Sequence, residues 1–388
     1  MYRRLGPVWA GLAIVSGLMC NAVVSPLYPL YRQAWSLEAS DITTLHVIYM
    51  CGALSSLLVF GRLADRFGYT LVLMGGLVLC LIATSLTIVA DGFAIFCVAR
   101  FIVGVASSLI TTAGTVAMMS MARGPAMAVA LSLVMASGFA SGPLIGGLSA
   151  HLSDRPLVGA HLPGLALLVL SLVLVAIAVP RQIRRGAFRW HDLVPRLSWS
   201  APEHARAFAL TCGLPFLGFG IFGLYVAVSP MLIREYLGIG GPLVIGLYVG
   251  FYLTFSAGTQ YLLRGLPSRQ TAVGGLVLGI CGNTLMLINL WAGLVWLFMM
   301  GVLISALAHG LMMMVGARGM HAASQPHNRG AISATYWACG YSGSIFPLLG
   351  LGWIADRWGM GVAVATFCIA MSLLMIALAT ATGRHRTA

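Results

Sequence analysis

Residues 71–90 read LVLMGGLVLCLIATSLTIVA, twenty positions without one charged side chain. As a helix rising 1.5 Å per residue, such a stretch is about 30 Å long, the thickness of the hydrocarbon core of a bilayer. A soluble helix of that length carries a polar face. This one has none, so lipid is the solvent that suits it. Working outward, similar apolar runs lie near 7–31, 40–60, 71–90, 93–117, 126–150, 161–180, 207–229, 243–263, 272–291, 294–315, 330–352 and 361–382. They predict twelve membrane-spanning helices. Over all 388 residues, 60% are hydrophobic and 8% charged, far below the roughly 25% charged residues of soluble domains. The expected class is an all-α membrane protein, and enzymes built on open sheets are excluded.

The net charge is +13, and all 22 basic residues are arginines. They stand in ones and twos between apolar runs, unlike the clustered patches that bind nucleic acid. Membrane lipids are therefore the expected partner, and nucleic acid is not. With the first span starting in the cytoplasm, 17 of the 22 arginines fall on the cytoplasmic side and Arg32, Arg155, Arg234 and Arg357 opposite, leaving Arg100 inside a span. That asymmetry predicts an inner-membrane, multi-pass protein with both termini cytoplasmic. Arg3 and Arg4 precede about 25 apolar residues, too long for a signal peptide core, so this run is read as span one. The eight cysteines lie in apolar runs without paired spacing and are read as buried free thiols, with no metal site.

The longest polar stretch, 181–206, sits at mid-chain and reads as a cytoplasmic linker between two six-helix bundles, 1–180 and 207–388. The halves echo each other. Ser25-Pro26 recurs as Ser229-Pro230 and Pro143-Leu-Ile-Gly146 as Pro347-Leu-Leu-Gly350, both 204 positions later, while Gly75-Gly-Leu-Val-Leu79 recurs 199 positions later from Gly274. Three landmarks in one order argue for an internal duplication, which is a transporter architecture with the solute site at the repeat interface.

Four sets of residues carry chemistry. The loop after span two reads Gly61-Arg-Leu-Ala-Asp65-Arg66-Phe-Gly68, a tight charged turn whose carboxylate can sit at a neighbouring helix N-terminus. In span four Arg100-x-x-x-Gly104 leads into Ser107, Thr111 and Thr115 at helical spacing, a polar stripe headed by a costly intramembrane cation. Span five reads Gly138-Phe-Ala-Ser-Gly142-Pro143-Leu-Ile-Gly146-Gly147, where glycines four apart allow close helix approach and proline removes a backbone donor. The second half offers rings: Tyr248 and Tyr252 with Ser256 and Thr259 in span eight, and Trp337 and Tyr341 with Ser344 in span eleven, each set on one face. All nine carboxylates fall in loops or at span ends, so His46 in span two and His309 in span ten are the titratable groups expected within spans. Asn21 in span one joins these as a candidate transport residue.

These motifs resemble those of the major facilitator superfamily. The Gly61–Gly68 loop matches its signature loop, although Tyr69 and Thr70 stand where the family has a basic pair. In the family that loop meets span eleven, here opening near Arg329-Gly330. Arg100 corresponds to the family's span-four motif, and Gly138, Gly142, Pro143, Gly146 and Gly147 match the antiporter motif of its drug:proton exporters at every fixed position. Pro26-Leu-Tyr-Pro29 resembles the end of the exporters' first-span motif, without its preceding Leu-Gly. The resemblance implies the major facilitator fold and a secondary active transporter exporting a small organic solute by alternating access, with proton coupling. It also implies a monomer that is no enzyme and carries no cofactor. The absence of lysine rules out a Gly-x-x-x-x-Gly-Lys-Ser/Thr loop, which argues against ATP-driven transport. Two other readings fit the same residues: import of a small organic anion, and a non-transporting receptor or accessory role on this fold.

Overall fold

A computed structural model describes residues 5–61, 63–122, 125–180, 197–325 and 328–384. Among them twelve helices are long and apolar enough to cross a membrane: Gly6–Trp35, Ala39–Phe60, Tyr69–Val89, Phe93–Met121, Val129–His151, Pro156–Ala178, Ala205–Leu237, Pro242–Leu262, Ser268–Ala292, Val295–Ala323, Arg329–Trp358 and Met360–Gly383. Each expected run maps onto one of these spans. Several helices continue past the apolar run, span seven through Arg234 and Glu235, span ten to Ala323 and span eleven to Trp358. The helical backbone continues through those last turns although their side chains are polar, so hydropathy alone ends the helices too early.

Large apolar side chains such as Leu71, Ile82, Ile177 and Leu373 are more than half exposed, which is the lipid-facing surface of such a chain. None of the eight cysteines is in a disulfide. Cys20, Cys80, Cys212 and Cys368 are buried, but Cys51, Cys97 and Cys339 are half-buried and Cys281 is exposed, correcting the expectation that all eight are buried. A thiol is apolar enough to face lipid, so an apolar run does not reveal which side a cysteine takes.

Packing divides the chain into two compact units. The first comprises Met1–Ser36, Ile48–Pro195 and Gly241–Phe251; the second comprises Leu37–Val47, Arg196–Gly240 and Tyr252–Ala388. The starts of spans two and eight are thus counted apart from the rest of their helices. In the first unit Ala10, Ile14, Leu73, Leu77, Ile110, Ala113, Leu168 and Val175 build a core from spans one, three, four and six. In the second, Phe208, Cys212, Met320, Ile332 and Tyr336 form a smaller cluster.

Residues 181–196 of the expected linker lie outside the described residues. The chain that follows them is tied to span eleven, since Ser198 N–H donates to the Thr335 hydroxyl (3.1 Å) and that hydroxyl faces the Ser198 carbonyl at 2.8 Å.

Candidate functional site: a buried arginine and a histidine–aromatic cluster

In the first unit the site begins with a helix that stops. Span one is α-helical from Gly6 to Ala22, turns through a 3₁₀ segment at Ser25–Leu27 and resumes at Tyr28. The last carbonyls of a helix have no intrahelical donor, and they form the negative end of its dipole. Arg100, 2% exposed, occupies that position. Its Nη1 donates to the Asn21 carbonyl (3.2 Å), its Nη2 approaches the Asn21 amide oxygen (3.4 Å), and its guanidinium lies over the Tyr49 ring at 4.9 Å. Tyr28 lies close enough to share its field. No described carboxylate pairs with it, and its Nε is buried without a partner. Asn21 is therefore a direct partner of Arg100.

The rest of the expected stripe behaves differently. The Ser107 hydroxyl turns back to the Gly104 carbonyl (3.2 Å) and the Thr111 hydroxyl to the Ser107 carbonyl (2.9 Å), so both are satisfied within span four. Gly104 has a steric role, because a Cβ there would stand 2.8 Å from the Ala53 backbone nitrogen of span two.

Span five lays its glycines on span one. Cβ atoms added at Gly138 would meet Leu18 at 2.9 Å, and at Gly142 the Met19 carbonyl at 2.6 Å and the Ala22 Cβ at 2.7 Å. At Gly146 a Cβ would collide with Val23, while Gly147 faces Gly246 of span eight with 3.0 Å to its Cα. Three motif glycines thus seat the helix end that holds Arg100, and Pro143 lies inside a helix that stays continuous from Pro125 to His151.

In the second unit, His309 Nδ1 and the Ser256 hydroxyl are 2.7 Å apart, and His46 Nε2 and the Ser344 hydroxyl 3.2 Å. Both rings flank Phe222, with centroids 5.6 Å away for His309 and 6.1 Å for His46. Phe219 continues the cluster toward Tyr341 (5.2 Å) and Trp337 (6.1 Å), and Tyr252 lies 5.9 Å from His309. Five of the expected residues, His46, His309, Tyr252, Trp337 and Tyr341, are thereby joined around two phenylalanines. Tyr248, buried one turn before Tyr252, packs in the first unit.

Phe219 and Phe222 escaped the sequence reading because phenylalanine is common in apolar runs, although Phe216, Phe219 and Phe222 recur every third residue. His161 escaped too. It is 2% exposed at the head of span six, and its Nε2 lies 3.3 Å from the Tyr31 hydroxyl. It is a third buried histidine within the spans, beside the two expected.

Of the signature loop, Leu63–Phe67 forms a short helix. Arg62 and the Asp65 side chain lie outside the described residues. Gly61 and Arg66 flank them, and a Cβ on Gly61 would meet the Leu57 carbonyl at 2.7 Å. Thr70, standing where the family has a basic residue, donates to the Pro180 carbonyl at 2.7 Å, and Tyr69 is buried. These two departures anchor the loop to the end of span six.

Comparisons with known proteins agree with this architecture. The chain is 29% identical over 215 residues to the quinolone resistance protein NorA of Staphylococcus aureus, covering 53% of this chain and 54% of that protein. It is 25% identical over 261 residues to the multidrug resistance protein MdtM of Salmonella typhimurium, covering 63% and 62%. Such matches span about half to three fifths of the relatives' length. In structure it resembles a bacterial homologue of the human lysosomal transporter Spinster, with TM-score 0.72 and 14% identity over 98% of this chain and 96% of that one. It also resembles the human organic anion transporter MFSD10 (TETRAN), with TM-score 0.66 and 14% identity over 97% and 99%. The sequence profile of the Major Facilitator Superfamily matches residues 10–348, and the chain belongs to that superfamily of membrane transporters.

Proposed function

We propose that this transporter exports small, flat organic solutes, above all those bearing a carboxylate, across the inner membrane in exchange for protons. The observation that carries the reading is Arg100, a buried cation held by a carbonyl, an amide oxygen and a ring, with no described carboxylate beside it and its Nε–H without a partner. In a low dielectric an uncompensated guanidinium favours an anionic partner, and its planar fork suits a carboxylate. The rings around Phe219 and Phe222 suit a planar apolar body. Relatives named for quinolone and multidrug resistance, and a fold neighbour named for organic anions, support cargo and direction. His46 and His309 are the groups assigned to the proton, because they are the exchangeable side chains joined to this aromatic cluster.

In this reading the protein works as a monomer with both termini and the 181–206 linker in the cytoplasm. Bundles 1–180 and 207–388 alternate access, and Asp65 and Arg66 act in the cytoplasmic gate. The test is accumulation of a fluorescent quinolone acid and its methyl ester in everted vesicles, with and without an acid interior. The acid should accumulate only with the gradient, and the ester much less. Accumulation of neither would overturn the proposal, and uptake of the acid by intact cells would favour the anion importer. An introduced thiol at Leu197→Cys should react from the cytoplasmic side alone.

A further inference from the structure

Span eleven ends in Gly352-Trp-Ile-Ala-Asp356-Arg357-Trp-Gly359, which repeats Gly61-Arg-Leu-Ala-Asp65-Arg66-Phe-Gly68 with five of eight positions identical and two more exchanged for like apolar residues. The closing glycines take the same left-handed backbone, φ +84° at Gly68 and +86° at Gly359, a conformation that side chains with a Cβ rarely adopt. Counting crossings, the two copies lie on opposite sides of the membrane.

At the second copy Asp356 Oδ1 accepts the backbone N–H groups of Ala39 (2.9 Å) and Ser40 (3.2 Å), the first residues of span two. Asp41, the acid in span two's own first turn, accepts the local Glu38 N–H (2.9 Å). The orphan donors and positive dipole end of span two are thus held by a carboxylate 317 positions away. One turn earlier Gly352 lets the two helices touch, since a Cβ there would stand 2.8 Å from the Ser40 Cα and collide with the Thr43 hydroxyl. Arg357 turns to its own helix, 4.3 Å over the Trp353 ring. Thr43 is fully buried beneath the contact.

We propose that Asp356 is a positioning residue of the transport cycle. It latches the start of span two to the end of span eleven while that membrane face is closed, and it must release when the face opens. The inference rests on alternating access, and its outer location on the orientation proposed above. A mere helix cap would also bind those N–H groups, so the test separates capping from latching.

In a Thr43→Cys background, with labelling of the parent chain's own cysteines subtracted, a membrane-impermeant maleimide is applied to intact cells and to everted vesicles. Asp356→Ala should label about tenfold faster from outside, a shift of about 1.4 kcal/mol toward the open face. Asp356→Asn keeps an oxygen acceptor without the charge and should label about threefold faster, which also serves if the alanine variant fails to fold. Asp41→Ala removes a cap local to span two and should change the rate less than twofold. Unchanged labelling in both Asp356 variants overturns the latch. So does an equal rise in Asp41→Ala, which would make both acids simple caps. A rise confined to everted vesicles supports the latch and overturns only the orientation, and none of these outcomes depends on the cargo.

Discussion

Ser25-Pro26 and Ser229-Pro230 occupy the same place in the two halves, yet the chain solves the missing proline N–H in two ways. In span one the Ser25 hydroxyl donates to the Ala22 carbonyl (2.9 Å), the acceptor that Pro26 leaves empty, and the helix breaks into a 3₁₀ turn. In span seven the helix never stops. It widens into a π turn at Leu224–Val228, and Ser229 N–H reaches back to the Leu224 carbonyl while its hydroxyl is buried without a partner. The products differ accordingly. The break presents a carbonyl to Arg100, whereas the π turn presents Tyr225, bonded to Ser305 (2.9 Å) and stacked on Tyr252 at 5.4 Å. One half offers backbone carbonyls and the other offers rings, although both carry the same Ser-Pro pair.

The largest expected effect tests the support of the break. Gly142→Leu would drive atoms into the Met19 carbonyl and Ala22, next to the Asn21 carbonyl that holds Arg100. Overpacking of about 3 kcal/mol corresponds to a loss of transport of about a hundredfold, while insertion, which rewards leucine, is kept. At the matching positions of the second half the constraint is absent: Phe346, 204 positions on, is 68% exposed, and nothing lies within 4 Å of a Cβ at Gly350. Gly350→Leu should therefore transport within about twofold of the parent. Equal loss in both variants, measured on membrane-inserted protein, would end the claim that the halves have diverged.

Next in size is the charge. Arg100→Ala removes the cation, and with charge-assisted hydrogen bonds worth about 1.5–3 kcal/mol each the quinolone acid should lose about thirtyfold in transport. The methyl ester should lose about threefold. Arg100→Lys keeps the charge without the fork and should fall between. Equal losses for acid and ester would make Arg100 structural, a support for span one alone.

The histidines of the second unit carry the third prediction. With His46→Ala and His309→Ala combined, acid transport should fall about fivefold and lose its dependence on pH, because these are the side chains to which the proton is assigned. An unchanged pH profile would move coupling to another group, with His161 of the first half the next to test.

How far these contrasts could be read in sequence depends on whether the deciding interaction is local. The spans were legible because twenty apolar residues in lipid leave no other solution, and the span-five glycines because a spacing of four lands on one helix face. The pairing of Arg100 with Asn21 joins residues 79 positions apart, and that of His46 with Ser344 joins residues 298 apart, which no periodicity records. Thr111 shows the converse. Its spacing places it in a polar stripe, but its hydroxyl bonds its own helix, and hydropathy cannot distinguish a side chain that offers its oxygen from one that spends it. The loss of close contact at Gly350 was equally silent, since glycine is retained there while its neighbour is gone.

The smallest prediction compares the two serines directly. Ser25→Ala leaves the Ala22 carbonyl without the donor that replaces Pro26 N–H, and an unmade buried hydrogen bond costs about 1–3 kcal/mol. Ser229→Ala removes a hydroxyl that has no partner in a fully buried site, so it should be neutral or slightly stabilising. In detergent the first should melt about 2 °C or more below the parent and the second at or above it. The first should also weaken acid transport a few-fold, because the freed carbonyl competes with Asn21 for the order of the helix end. Both serines behaving alike would mean that the 3₁₀ break stands on Pro26 and the span-five glycines alone, and the hydroxyl would then follow the break without holding it.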